Sequence, residues 1–303
     1  MRSNVTRMAL VRARLSLPVI RRASGVLEGR HTSVLTGHGH DFKDLVEYSF
    51  GDDVSDIDWK SSARAGMPII RRFERESETI MQIVVDTGRQ MCADAPDGSR
   101  KADIALCVAD LLGYLAIQRG DRLAVMAGDN RGYLRIPARH GNSHLDYALD
   151  SVRAQMANSA EEMGSAGESA CAVLFNELIR LPQPRSLVVA ITDEYFPAVA
   201  NQFDIAAIRR IRTRHELIVV QVADMLLTQP SIAHMHDVDH DFSVPAFLRA
   251  DRVLHEDLVR DQRQREAYTR VVLRSFGVRS VRVDAMDHVV PALFELLRGR
   301  HAR

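Results

Sequence analysis

Residues able to bind a cation or move a proton gather at four places along the 303-residue chain. The densest is Gly51 to Arg64, GDDVSDIDWKSSAR, where Asp52, Asp53, Asp56 and Asp58 surround Trp59 and Arg64. Carboxylates this close could hold two divalent ions for hydrolysis. The same residues support a structural lock in which Asp58 pairs with Arg64 beside a buried Trp59, and no nucleophile or base is identifiable to favour catalysis. Two further carboxylates, Asp86 and Asp193, each end an apolar run, and Ser143 opens a helix. Oxygen ligands of this kind suit Mg²⁺ or Ca²⁺ rather than zinc, though each side chain could equally cap a helix or turn. The fourth place is His234 to Asp241. His236 and His240 would share one face of a helix, but Pro230 and Pro245 favour a solvated, pH-sensitive loop.

The elements that must position these groups follow from apolar patterning. Met81 to Val85 is a short, mostly apolar run without clean alternation, the pattern of a strand buried on both faces, and it stops at Asp86. A helix from Lys101 to Arg119 is apolar most of the way round, so it is covered on several sides. Strands are expected at Arg122 to Ala127, Tyr133 to Ile136, Ser186 to Thr192, Leu217 to Val222 and Ser280 to Asp284. Helices are expected after Gly141-Asn142-Ser143, and at Ala170 to Leu181, Ile205 to Arg212, Ala250 to Phe276 and Pro291 to Arg298, with a loop at Ala157 to Ser169. Alternating strands and helices predict an α/β fold with a doubly wound, mostly parallel sheet. Residues 1–78 are rich in turn formers and predict a β-rich N-terminal extension, with Met67 to Phe73 as one strand. Residues 79–303 then form the α/β domain, with an insertion around 228–276.

Composition excludes several classes. Forty Lys and Arg balance forty Asp and Glu, so no overall field attracts nucleic acid. Cys92, Cys107 and Cys171 are odd in number and form no CxxC pair, which speaks against a disulfide framework and a thiolate zinc site. No glycine-rich phosphate loop, G-x-S-x-G elbow or HExxH occurs. No apolar run approaches the roughly 18 residues of a membrane span. Met1 to Arg30 is arginine-rich but lacks a secretory h-region, and a solvated basic face in a reduced cytoplasm is expected.

The acidic run carries a resemblance. Gly37, Gly39, Asp41, Phe42, Tyr48, Gly51, Asp52, Asp53, Ile57, Asp58, Trp59, Ser62, Ala63 and Arg64 match the signature of a bacterial family, domain of unknown function 58. The resemblance extends through the sheet and implies a von Willebrand factor A-like, Rossmann-type fold, with Asp52, Asp53, Asp58, Trp59 and Arg64 as a structural signature. Such domains often carry a metal-ion-dependent adhesion site of the form D-x-S-x-S, then a Thr, then an Asp. By that resemblance Asp86 is the first aspartate, Ser143 stands for the Thr and Asp193 is the last. Gly88 and Gln90 replace the two serines, so the site is expected to be degenerate, with no Mg²⁺ and no other cofactor. Restoring Ser at 88 and 90 is expected to create affinity. The resemblance further implies a non-enzymatic interaction module that works with a MoxR-type AAA+ ATPase on a protein client, contacting its partner through Arg89, Gln90 and Asp193. A metal-dependent hydrolase using Asp52, Asp53, Asp56 and Asp58 is the alternative.

Overall fold

Ile80–Asp86 (β3), all seven residues buried, is the strand around which the larger of two compact units is laid down. The computed structural model describes residues 36–49, 54, 57–74, 79–161, 171–198, 201–226, 228, 236–237, 242–243 and 245–298. The larger unit begins its described course at Thr79, and the smaller lies within residues 27–78.

In the smaller unit, Thr36–Glu47 (β1) pairs antiparallel with Ile69–Glu74 (β2), and the short helix Trp59–Ala65 (α1) lies between them in sequence. Asp58 caps that helix, its carboxylate accepting from the backbone N–H of Lys60 and Ser61 at 3.1 and 3.2 Å. Ser62 Oγ donates to the Asp58 carbonyl and accepts from Ile69 N–H, both at 2.8 Å, so the hydroxyl stitches α1 to β2. Gly66 closes the helix at φ 74°, a left-handed conformation that glycine adopts without penalty.

The expected buried lock is not what holds this segment. Trp59 is 69% exposed and Arg64 is exposed in the last turn. The cap and Arg64 stand at opposite ends of a seven-residue helix, about 9 Å of rise apart. Asp58→Ala is therefore expected to cost at least about 1 kcal/mol, the worth of an N-cap. Arg64→Ala should cost under about 0.5 kcal/mol. Urea unfolding of both variants checks the pair. Asp52, Asp53 and Asp56 lie outside the described residues.

The larger unit is a six-stranded sheet in the order β10-β7-β6-β3-β4-β5. Its remaining strands are Arg122–Gly128 (β4), Tyr133–Arg139 (β5), Leu187–Asp193 (β6), Glu216–Val222 (β7) and Arg279–Val283 (β10). All are parallel except β5, which turns back antiparallel on β4. The expected doubly wound, mostly parallel sheet is thus present. Two-residue strands His236–Asp237 (β8), inside the histidine run, and Phe242–Ser243 (β9), just after it, form a separate antiparallel pair. The rest of that run lies outside the described residues.

Helices cover both faces. Lys101–Gln118 (α2), Asn142–Glu161 (α3) and Val289–Arg298 (α8) pack together on one side. Cys171–Arg180 (α4) and Gln202–Arg214 (α5) cover the other. There Phe175, Leu178, Ile208 and Ile211 meet Val84, Val188 and Val219 of the sheet, joined by Leu273 near the end of the long helix Arg252–Ser275 (α7). A one-turn helix, Ala246–Arg249 (α6), precedes α7. Helix α3 runs four residues past the expected loop boundary at Ala157, through residues that tolerate helix well. Gly113 of α2 has a packing role: a Cβ there would sit 2.6 Å from Leu145 Cδ1, so the two helices approach over a missing side chain.

At the amino ends of the strands, His215 is fully buried, with Nδ1 accepting from Ser186 N–H and 2.8 Å from Ser186 Oγ. Burial first, then the charges of Arg214 and Arg185, lower its pKa to about 4. The imidazole is therefore neutral in the fold while an unfolded histidine takes up a proton near 6.5. Its stability contribution is complete above pH 6.5 and is lost as the pH falls toward 4. His215→Gln is expected to flatten the loss between pH 6.5 and 4.5 by roughly 1–2 kcal/mol, read from denaturant midpoints across that range.

Candidate functional site

The sheet changes winding direction at β3: the chain steps to β4 and β5 on one side, then returns to β6, β7 and β10 on the other. In open α/β sheets the crevice for ligands opens at the carboxyl ends of the strands flanking such a point. Here β3, β6 and β7 lie side by side in register, Val85 against Ile191 and Asp193 against Val222. That register brings Asp86, Asp193 and Asp224, two residues past β7, to one edge.

Each carboxylate is engaged internally. Asp86 is 0% exposed, with Oδ1 accepting from Gly88 N–H and Oδ2 from Thr192 Oγ1, both at 2.9 Å. Asp193 Oδ1 accepts from Tyr195 N–H at 2.6 Å. Its Oδ2 lies 2.7 Å from Nζ of Lys101, whose ammonium also reaches Asp224 Oδ1 at 2.5 Å. Lys101 opens α2 and is fully buried. Burial pushes its ammonium toward the neutral form, but Asp193 and Asp224 outweigh that and hold the pKa above the ordinary lysine value. Asp224 is pushed well above the usual carboxylate range by burial and by Asp193, with Lys101 opposing.

Loops tie this edge down. Lys101 N–H donates to the Ala93 carbonyl at 3.0 Å, Met225 N–H to the Asp94 carbonyl at 3.1 Å, and Met286 N–H to Asp97 Oδ2 at 2.8 Å. Beside Asp193, Tyr195 projects to solvent at 40% exposure, with the Arg265 guanidinium 4.5 Å from its ring centroid. Glu194 accepts from Arg282 at 2.8 Å and from Gln262 at 3.1 Å, fastening the same turn to β10 and α7. Two thiols also belong to this edge. Burial raises Cys92, and raises Cys171 well above the ordinary value, with the charge of Asp86 adding to both. Neither is a thiolate nucleophile at neutral pH.

The anticipated ligand set does not assemble. Asp86 and Asp193 meet at the carboxyl edge, but Ser143 is at the opposite one. Antiparallel β5 returns the chain to the start of β4, with Arg139 against Leu123, and His144 Nε2 lies 2.9 Å from the Leu123 carbonyl. Five residues of strand, about 17 Å, separate that level from Asp86. Asp193 is no partner contact either, being 1% exposed with both oxygens occupied. Arg89 and Gln90 are half-buried in the 3-10 turn Arg89–Cys92. Gly88 before it has φ −63°, so serine there would meet no backbone strain. No group of three or more His, Cys, Asp or Glu among the described residues is arranged to hold a metal ion. A divalent ion needs several converging oxygens; here two converge, and they converge on an ammonium. Among the described residues, those at this edge do not fit the metal of an adhesion site.

A doubly wound sheet with a lysine-clamped carboxylate edge is the class this chain falls into. The family model described as Protein of unknown function DUF58 matches residues 44–268, and the chain belongs to that family. Relatives include Uncharacterized protein Rv1480 of Mycobacterium tuberculosis and Uncharacterized protein Mb1516 of Mycobacterium bovis. Each is 26% identical over 87% of this chain and 80% of its own length. Among solved structures, the chain is similar to a von Willebrand factor type A protein from Catenulispora acidiphila, at 12% identity and TM-score 0.42, covering 76% of this chain and 43% of that one. It is also similar to an aerotolerance-related membrane protein from Bacteroides fragilis, at 16% identity and TM-score 0.40, covering 72% of this chain and 98% of that one. Among the described residues, no helix is long and apolar enough to cross a membrane.

Proposed function

We propose that this protein is a non-enzymatic protein-interaction module whose contact surface is the carboxyl edge of β3, β6 and β7. The observation that carries this reading is the consumption of the edge's reactive groups by one another. Lys101 is paired with both Asp193 and Asp224, Asp86 accepts from Gly88 and Thr192, and burial keeps the thiols of Cys92 and Cys171 protonated. That arrangement supports rigidity and leaves no activated base or nucleophile among them. What faces solvent at this edge includes Tyr195, with the Arg265 guanidinium over its ring, and the exposed Asp94 and Arg100 of the loop before α2. Tyrosine and arginine held in place by neighbours are the residue types that dominate interface energetics. Arg89 and Gln90 sit in the adjoining turn and contribute hydrogen bonds.

The partner follows from the family resemblance: a MoxR-type AAA+ ATPase, acting with this chain on a protein client in the cytoplasm. Calorimetric titration of the full chain with the purified MoxR-type ATPase of the same organism tests the reading. Saturable binding is expected. Absence of binding with nucleotide present and absent would refute the pairing.

A further inference from the structure

Lys101 does more than balance charge. We infer that its ammonium is the resident cation of this edge, standing where a divalent ion would be held between Asp193 and Asp224, so that the edge carries its cation covalently and has no divalent site to load. This holds whatever the partner is.

The contacts support it in three ways. Nζ lies 2.7 Å from Asp193 and 2.5 Å from Asp224, so one ammonium makes charge-assisted contacts to both carboxylates. Both carboxylates therefore converge on a single cation. Second, a cation in the first turn of a helix opposes the helix dipole, and Lys101 opens α2 while fully buried. Only the two carboxylates make that position tenable. Third, the ammonium is tethered by the chain itself, so a free ion must displace a group whose local concentration no solution matches.

The loss of metal chemistry at this edge thus does not rest on Gly88 and Gln90 alone. Hydroxyls restored there would still face an occupied position, and Ser143 is too far away to join them. The tether also fixes the ends of β6 and β7 to the start of α2 under all ionic conditions, so the neighbouring Tyr195 turn is preset.

Thermal unfolding of the full chain with Mg²⁺ or Mn²⁺ at millimolar concentration tests the inference. The midpoint of the wild type should not move, nor should that of Gly88→Ser with Gln90→Ser. Lys101→Ser should melt lower in metal-free buffer and regain several degrees with Mn²⁺, a gain abolished by adding Asp224→Asn. Mn²⁺ stabilisation of the wild type that disappears in Asp193→Asn would overturn the inference. So would a folded Lys101→Ser variant indifferent to Mn²⁺, or one that Mn²⁺ cannot refold. A second comparison does not depend on that variant folding. Lys101→Met combined with Asp193→Asn and Asp224→Asn removes all three charges and should be more stable than Lys101→Met alone. Equal or lower stability of the triple variant would show that the lysine is not there to serve the carboxylates.

Discussion

Lys101→Met is expected to lower the stability of the fold by about 3–5 kcal/mol, because it strands the buried Asp193 and the half-buried Asp224 side by side without their counter-ion. The methionine keeps most of the side chain's volume, so cavity formation contributes little and the loss reports the charge. Asp193 cannot simply turn to solvent, since its other oxygen holds the Tyr195 backbone and the residue is 1% exposed. Relief comes by protonating Asp224, already the carboxyl whose pKa stands above the usual range. The penalty should therefore shrink as the pH falls: a variant carboxyl raised still further is favoured in the fold once it is protonated, and disfavoured as pH rises through its folded value. Guanidinium unfolding at pH 7.5 and pH 5 measures both parts. A loss below about 1 kcal/mol at pH 7.5 would mean that the cluster is not the keystone of the edge.

Tyr195→Ala should weaken partner binding by about 2 kcal/mol, roughly thirtyfold, with little change in stability. The ring is 40% exposed and meets Arg265 from outside the core, so its removal opens no cavity. Arg265→Ala should weaken binding by less, since the guanidinium also lies 3.3 Å from Asp261 and acts on Tyr195 from one face only. Titrations of the ATPase with wild type and both variants give the order. A Tyr195→Ala variant that binds as tightly as wild type would move the contact surface away from this turn.

Much of the framework was legible in the sequence where burial leaves little choice. Met81 to Val85 is apolar on both faces because β3 has neighbours on both sides and helices above and below. The helix from Lys101 is apolar all round because it lies against β3, α3 and α8. Charge and connectivity were harder to read. Grouping Ser143 with Asp86 requires every strand to lead back to the same edge. Yet only residues 129–132 separate β4 from β5, a link too short for a parallel crossover. An antiparallel hairpin there sends the next helix to start at the far edge, and that signal was present. Trp59 is a residue type common in interiors, whereas the short helix that carries it buries none of its residues. Lys101 left a trace too: it is one of three lysines in a chain that otherwise uses arginine, set at the head of an apolar helix where a cation is disfavoured. Asp224 had no such mark. It lies two residues beyond β7, and only the parallel register of β6 and β7 brings it to Lys101.

Hydrogen–deuterium exchange of the full chain, free and bound to the ATPase, tests the interaction surface most directly. Protection on binding should concentrate in residues 89–100 and 193–198, the loops around Lys101 and Tyr195. The turns at 117–122 and 180–187, at the amino ends of the strands, should exchange as in the free protein. Protection confined to those amino-end turns, or to residues 27–78, with 89–100 and 193–198 unchanged, would contradict the assignment of the carboxyl edge as the binding face.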